Sequence, residues 1–83
     1  MKLSVRYFAS IREAVGQGSE TVETAAETLG ALRDELIARG GAHASALARG
    51  KAVRMAVDQV IADESAPLRE ASEIAFFPPV TGG

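Results

Sequence analysis

Eighty-three residues with a mass of 8.6 kDa make one small domain, and 47% hydrophobic against 24% charged side chains exclude a disordered tail, a collagen-like repeat and a coiled coil. Nine basic and eleven acidic side chains give a net charge of −2 with no basic run, which argues against nucleic acid as a partner. The chain has no cysteine, and this removes disulfides, thiolate metal sites, iron–sulfur clusters and a cysteine nucleophile at once.

Leu3, Val5 and Tyr7 alternate with Lys2, Ser4 and Arg6, which predicts a first strand with one buried face and Phe8 continuing it on the polar side. Ser10-Ile11-Arg12-Glu13 matches a capping box, Ile11 and Val15 lie four apart, and Gly16 is placed as a stop, so a short helix is expected there. After the Gly16-Gln17-Gly18 turn, Glu20 to Glu23 reads as a brief strand. The main helix is read from Leu29, Leu32, Leu36 and Ile37 on one stripe, with Arg33, Asp34 and Glu35 as its polar face and either Thr24 or Thr28 as N-cap. Gly40 and Gly41 close it, and a weak helical turn is expected around Leu47. Val53, Met55 and Val57 alternate with polar or small residues as another strand, a turn at Asp58-Gln59 re-aims the chain, and Val60 to Ala62 is a short continuation. A polar loop from Asp63 to Ser72 is interrupted by Pro67 and Leu68, and Glu73 to Phe77 is the last strand. This order suits an α+β domain in which a mixed sheet wraps one main helix, spanning residues 1–77, with 78–83 as an extended tail.

No apolar run approaches the roughly 18 residues that span a bilayer, and no signal-peptide stretch follows Lys2, so no membrane partner and a cytoplasmic location are expected. The single histidine, His43, sits in an Ala-rich stretch without a carboxylate nearby in sequence and is expected to be a surface or half-buried side chain without a catalytic role. Neither a metal site nor a bound cofactor is expected.

The informative segment is Phe76-Phe77-Pro78-Pro79-Val80-Thr81-Gly82-Gly83. Two prolines fix φ and hold the chain extended, so Val80, Thr81, Gly82 and Gly83 are expected to project away from the fold. The paired glycines, lacking Cβ, can enter a channel too narrow for other residues. The α-carboxylate of Gly83 is then the expected reactive group. Alternation sends Phe76 inward and Phe77 outward, and Phe8 outward on the first strand; with Ile61 they are expected to share an exposed docking patch beside the tail.

With Tyr7-Phe8-Ala9, Arg12-Glu13, Thr28, Ala31-Leu32-Arg33, Gly50-Lys51, Ala56-Val57, Gln59 and Pro67-Leu68, that tail makes nearly the whole chain resemble the small subunits of molybdopterin synthase, which are ubiquitin-like sulfur carriers. The resemblance implies a β-grasp fold. It also implies that a ubiquitin-activating-type adenylyltransferase uses ATP to convert the Gly83 carboxylate to an acyl-adenylate and that a sulfurtransferase supplies sulfur for a thiocarboxylate. The loaded tail would then enter the large synthase subunit, within a heterotetramer, and donate sulfur to a cyclic pyranopterin phosphate. Two departures stand out: Asp58 replaces the usual Asn, and Ala71-Ser72-Glu73 replaces a Gly-Asp-Glu turn, so Ala71 is strained if that turn needs positive φ. The alternatives are a carrier for thiamin-type synthesis, a ubiquitin-like protein modifier, and a β-grasp interaction domain with no terminal chemistry.

Overall fold

The computed structural model describes residues 1–79. Its elements in chain order are β1 (Lys2–Tyr7), α1 (Ala9–Val15), β2 (Ser19–Glu23), α2 (Leu29–Ala38), α3 (Gly41–Leu47), β3 (Arg54–Val57), β4 (Val60–Ala62) and β5 (Glu73–Phe77). The five strands form one mixed sheet in the order β2-β1-β5-β3-β4, in which β1 and β5 are parallel and the other neighbours antiparallel. The expected α+β architecture is therefore present, with the first and last strands side by side.

Period-2 alternation decides which side of the sheet is dry. Leu3, Val5 and Tyr7 of β1, Val22 of β2, Met55 of β3, and Ile74 and Phe76 of β5 all face the helices and are buried. Leu29, Leu32 and Leu36 of α2, Ile11 and Val15 of α1, and Leu47 at the end of α3 complete the core. Leu68 joins them from the long loop, so that segment is anchored rather than merely polar.

Several local expectations are corrected by backbone hydrogen bonding. Phe8 does not extend β1; it is the N-cap of α1, because its N–H donates to the Phe76 carbonyl at 3.1 Å while its own carbonyl accepts from Ile11 and Arg12. The Ser10–Glu13 capping box is consequently unused, since Ser10 already lies inside the helix. Between the two candidate caps of α2 the structure selects Thr28, whose hydroxyl accepts from the Ala31 N–H at 3.2 Å. Thr24 instead accepts from the Ala26 N–H, a local turn that keeps residues 24–28 out of the helix. The N–H groups of Leu29 and Gly30 are satisfied by the carbonyls of Ala66 and Glu64, so the loop after β4 caps α2 from outside. Gly30 allows that approach, because a Cβ there would stand 2.9 Å from the Glu64 Cβ.

Arg33, expected on a polar face, is buried. Its Nε donates to the Leu47 carbonyl and an Nη to that of Ala48, both at 2.9 Å, so the guanidinium closes the open end of α3. Asp58 and Gln59 both take positive φ, 49° and 70°, as a tight β3–β4 hairpin requires. Ala71 also has positive φ, 67°, so the strain expected where Gly is replaced is real.

Candidate functional site

The site is built around the end of β5. This strand lies between β1 and β3 and is hydrogen-bonded on both sides, with Tyr7 opposite Phe76 and Arg54 opposite Phe77. The backbone entering Pro78 and Pro79 is therefore held from two directions. Val80, Thr81, Gly82 and Gly83 lie outside the described residues, so the expectations for them remain those of the sequence.

Register places the expected docking residues on one face, the side of the sheet that carries no helix. Ile61 pairs with Ala56, Ala56 with Ala75, Ala75 with Arg6, and one step nearer the tail Arg54 pairs with Phe77. Phe8 follows Tyr7 beside Phe77 at the same edge. Phe8 is 41% exposed and Ile61 64% exposed, whereas Phe77 is half-buried, because neighbouring strands flank a central residue on both sides. Val60, 68% exposed at the hairpin, pairs with Val57 and so points to the opposite face from Ile61, outside this patch. The Arg6 guanidinium sits over the Phe8 ring at 5.5 Å, a cation–π contact, and reaches Glu73 at 3.7 Å.

The opposite face carries a polar cluster that sequence reasoning missed. Glu20 shares the inward face of β2 with Val22, and its carboxylate takes the Tyr7 hydroxyl at 2.7 Å, His43 Nε2 at 2.8 Å and an Arg39 Nη at 2.8 Å. His43 is thus not the partnerless side chain expected; its carboxylate arrives from a strand 23 residues earlier. Burial is the largest single influence on the Glu20 carboxyl and pushes its pKa up, but donation from His43, Arg39 and Tyr7 together outweighs it and holds the group down at about 2. Burial, with Glu20 as acceptor, raises the Tyr7 phenol well above its ordinary range. The Tyr7 ring stacks on Phe76 at 6.1 Å, and His43 meets its edge at 6.0 Å, so the cluster locks α3, β2 and β1 beneath the root of the tail. It faces the helices rather than the helix-free side of the sheet. The only sequence signal for it was a carboxylate two residues before an inward valine.

Among the described residues, no group of three or more His, Cys, Asp or Glu side chains could hold a metal ion, and no helix is long and apolar enough to cross a membrane.

A mixed sheet with β1 and β5 parallel and central, one main helix across it and a proline-terminated last strand defines a β-grasp protein of the ubiquitin-like class. The ThiS family model matches residues 5–83, and the chain belongs to that family. It is 41% identical over 81 residues to the molybdopterin synthase sulfur carrier subunit of Escherichia coli (strain K12), which covers 98% of this chain and 99% of the relative. Among solved structures it is similar to a protein–protein complex of subunits 1 and 2 of molybdopterin-converting factor from Helicobacter pylori, at 25% identity, a TM-score of 0.70 and full coverage of both chains. The small archaeal modifier protein 1 of Haloferax volcanii, 22% identical with a TM-score of 0.76 over 95% of this chain and 98% of that one, shares the fold.

Proposed function

We propose that this protein is the sulfur-carrier subunit of a molybdopterin synthase and that its reacting group is the α-carboxylate of Gly83. The observation that carries the reading is the joint one of a Gly-Gly tail following Pro78-Pro79 and full-length similarity to molybdopterin synthase sulfur carrier subunits. A carboxylate resists nucleophiles because of its charge, so it is first activated by an adenylyltransferase of the ubiquitin-activating type. A carboxylate oxygen bonds to the α-phosphorus of ATP and pyrophosphate leaves. The terminal sulfur of a sulfurtransferase persulfide then displaces AMP to give an acyl disulfide, and a thiol reductant cleaves its S–S bond, becoming a disulfide with the sulfurtransferase cysteine and leaving the thiocarboxylate. With no cysteine in the chain, no side chain can hold the sulfur as a persulfide or thioester. The carrier binds no cofactor itself; ATP is consumed on the activating enzyme.

The loaded tail reaches the large synthase subunit, in a heterotetramer, and gives up its sulfur to a cyclic pyranopterin phosphate, two carriers serving each dithiolene. Phe8, Ile61 and Phe77 dock on the partner while Pro78, Pro79, Val80, Thr81 and Gly82 lead Gly83 into its channel. Residues 1–77 act as the handle and 78–83 as the working arm.

The test is intact-mass measurement after incubation with activating enzyme, ATP and a sulfur source. Wild type is expected to exchange one oxygen for sulfur, and chains lacking Gly83 or extended beyond it to remain unmodified with the fold intact. An extended chain that still gains sulfur would falsify the carrier mechanism. Conjugation to lysines in place of sulfur gain would favour the modifier reading, which the archaeal structural likeness supports at the level of fold alone.

A further inference from the structure

Charge on the described residues is unevenly paired. Arg6, Arg33, Arg39 and Arg49 each lie within 4.0 Å of a carboxylate. Lys2, Arg12, Lys51, Arg54 and Arg69 are exposed and have no such partner among the described residues; Lys2 and Arg69 lie at the end of Glu70 and Asp58, whereas Lys51 and Arg54 stand beside the root of the tail. Arg54 is the register partner of Phe77, and Lys51 lines a recess of about 120 Å³ with Ile11, Val53 and Pro78. Asp63, the acid that follows β4 toward this end, spends one oxygen on the Ser65 N–H and hydroxyl. Acidic Asp58, Glu70 and Glu73 gather at the far end, where Asp58 accepts from the Glu73 N–H at 2.9 Å and Glu70 from the Lys2 N–H at 2.9 Å. A chain of net charge −2 thus turns a cationic end toward whatever receives its tail.

We propose that Lys51 and Arg54 are an electrostatic guide at the root of the tail, complementary to an acidic rim around the channel of the large synthase subunit. The inference rests on the sulfur-carrier reading and adds to it the chemistry of the partner's surface. Two unpaired cations beside the half-buried Phe77 would repel a basic rim and be desolvated without return on a neutral one, so only an acidic rim makes both favourable. The guide does not conflict with cationic groups that hold the phosphate of the substrate. Six residues of fully extended tail span up to about 20 Å, about 2.5 Debye lengths at physiological ionic strength, which is reach enough to keep the rim and the reaction chamber electrically separate.

The test uses the full-length protein and its cognate large subunit, with association measured by stopped flow at about 0.05 M and about 0.5 M salt. The double charge reversal K51E/R54E is expected to slow association at least about tenfold at low salt and less than about threefold at high salt, with dissociation nearly unchanged. The neutral pair K51Q/R54Q, which keeps side-chain length without adding new charge, should fall between, and the charge-keeping K51R/R54K should match wild type. Equal or faster association of K51E/R54E at low salt overturns the guide, as does a loss of the same size at both salts, which would indicate packing. Failure of wild type to bind the large subunit at either salt overturns the carrier reading and the guide with it, whereas binding with no salt dependence overturns the guide alone.

Discussion

Substitutions at the adjacent phenylalanines of β5 are expected to separate folding from binding. Phe76 has no solvent exposure, lies between Tyr7 and Met55 in the sheet, and stacks on the Tyr7 ring. Phe76→Ala removes a full ring from a core with no helix free to collapse into the space, a change that costs about 3–5 kcal/mol. A domain of this size holds about 4–12 kcal/mol in total, with an unfolding entropy near 0.17 kcal/mol per kelvin, so a 4 kcal/mol loss lowers Tm by about 20 °C. Phe77 is half-buried on the opposite face, and its truncation should cost about 1 kcal/mol and about 6 °C. As a central anchor of the docking face it should nevertheless weaken binding to the large subunit by about 2 kcal/mol, roughly 30-fold in Kd. Thermal melts and a titration of each variant with the large subunit decide the matter. Equal Tm losses for the two variants, or full-strength binding by Phe77→Ala, would refute the division of labour between the faces.

Glu20 is held at about 2, below its ordinary 4.5, so the stability it contributes is present above about pH 4.5 and is lost as pH falls toward 2. Glu20→Gln should therefore cost about 2–3 kcal/mol at pH 7, and its denaturation curves should converge with those of wild type on acidification; a gap independent of pH would rule out this linkage. Ala71→Gly relieves a left-handed residue at φ 67°, and should raise Tm by about 3–6 °C in a calorimetric scan after the entropy cost of glycine is subtracted. Gly30→Ala, normally favourable inside a helix, should here destabilise by about 1–3 kcal/mol in urea titration, because its Cβ would meet both the side chain and the carbonyl of Glu64.

What the sequence showed and what it hid divide along physical lines. Alternation gave the correct face to every buried residue of β1 and β5, because a one-residue slip would have put Phe76 in water. The leucine stripe of α2 was equally legible, but Arg33, one turn beyond Leu29 on the edge of that stripe, was assigned to solvent because charge is ordinarily exposed. Its burial depends on three carbonyls at the end of α3 and beyond, a tertiary circumstance. The Glu20 cluster was hidden for a similar reason: Tyr7, Glu20, Arg39 and His43 come from four separate segments, and no local spacing brings them together. The capping box failed because a strand hydrogen bond to Phe76 had already committed Phe8 as the cap.

On the proposed reading, in which Gly83 carries the reacting group, the position of β5 reconciles a rigid fold with a reactive end. A tail leaving an edge strand would move with every fraying event of that edge, since only one neighbour holds it. Here the last strand is central, paired in parallel with β1 and antiparallel with β3, so the backbone that enters Pro78 is fixed by ladders on both sides. Tyr7 extends that control downward, because its ring supports Phe76 and its hydroxyl is tied to Glu20. Direction at the root is thereby set before any partner is met. Pro78 and Pro79 continue from that root with φ fixed by their rings. A carrier whose root were loose would lose much of its docking energy to ordering the tail on arrival, and Phe8, Ile61 and Phe77 would then bind without delivering Gly83 to the reacting atoms.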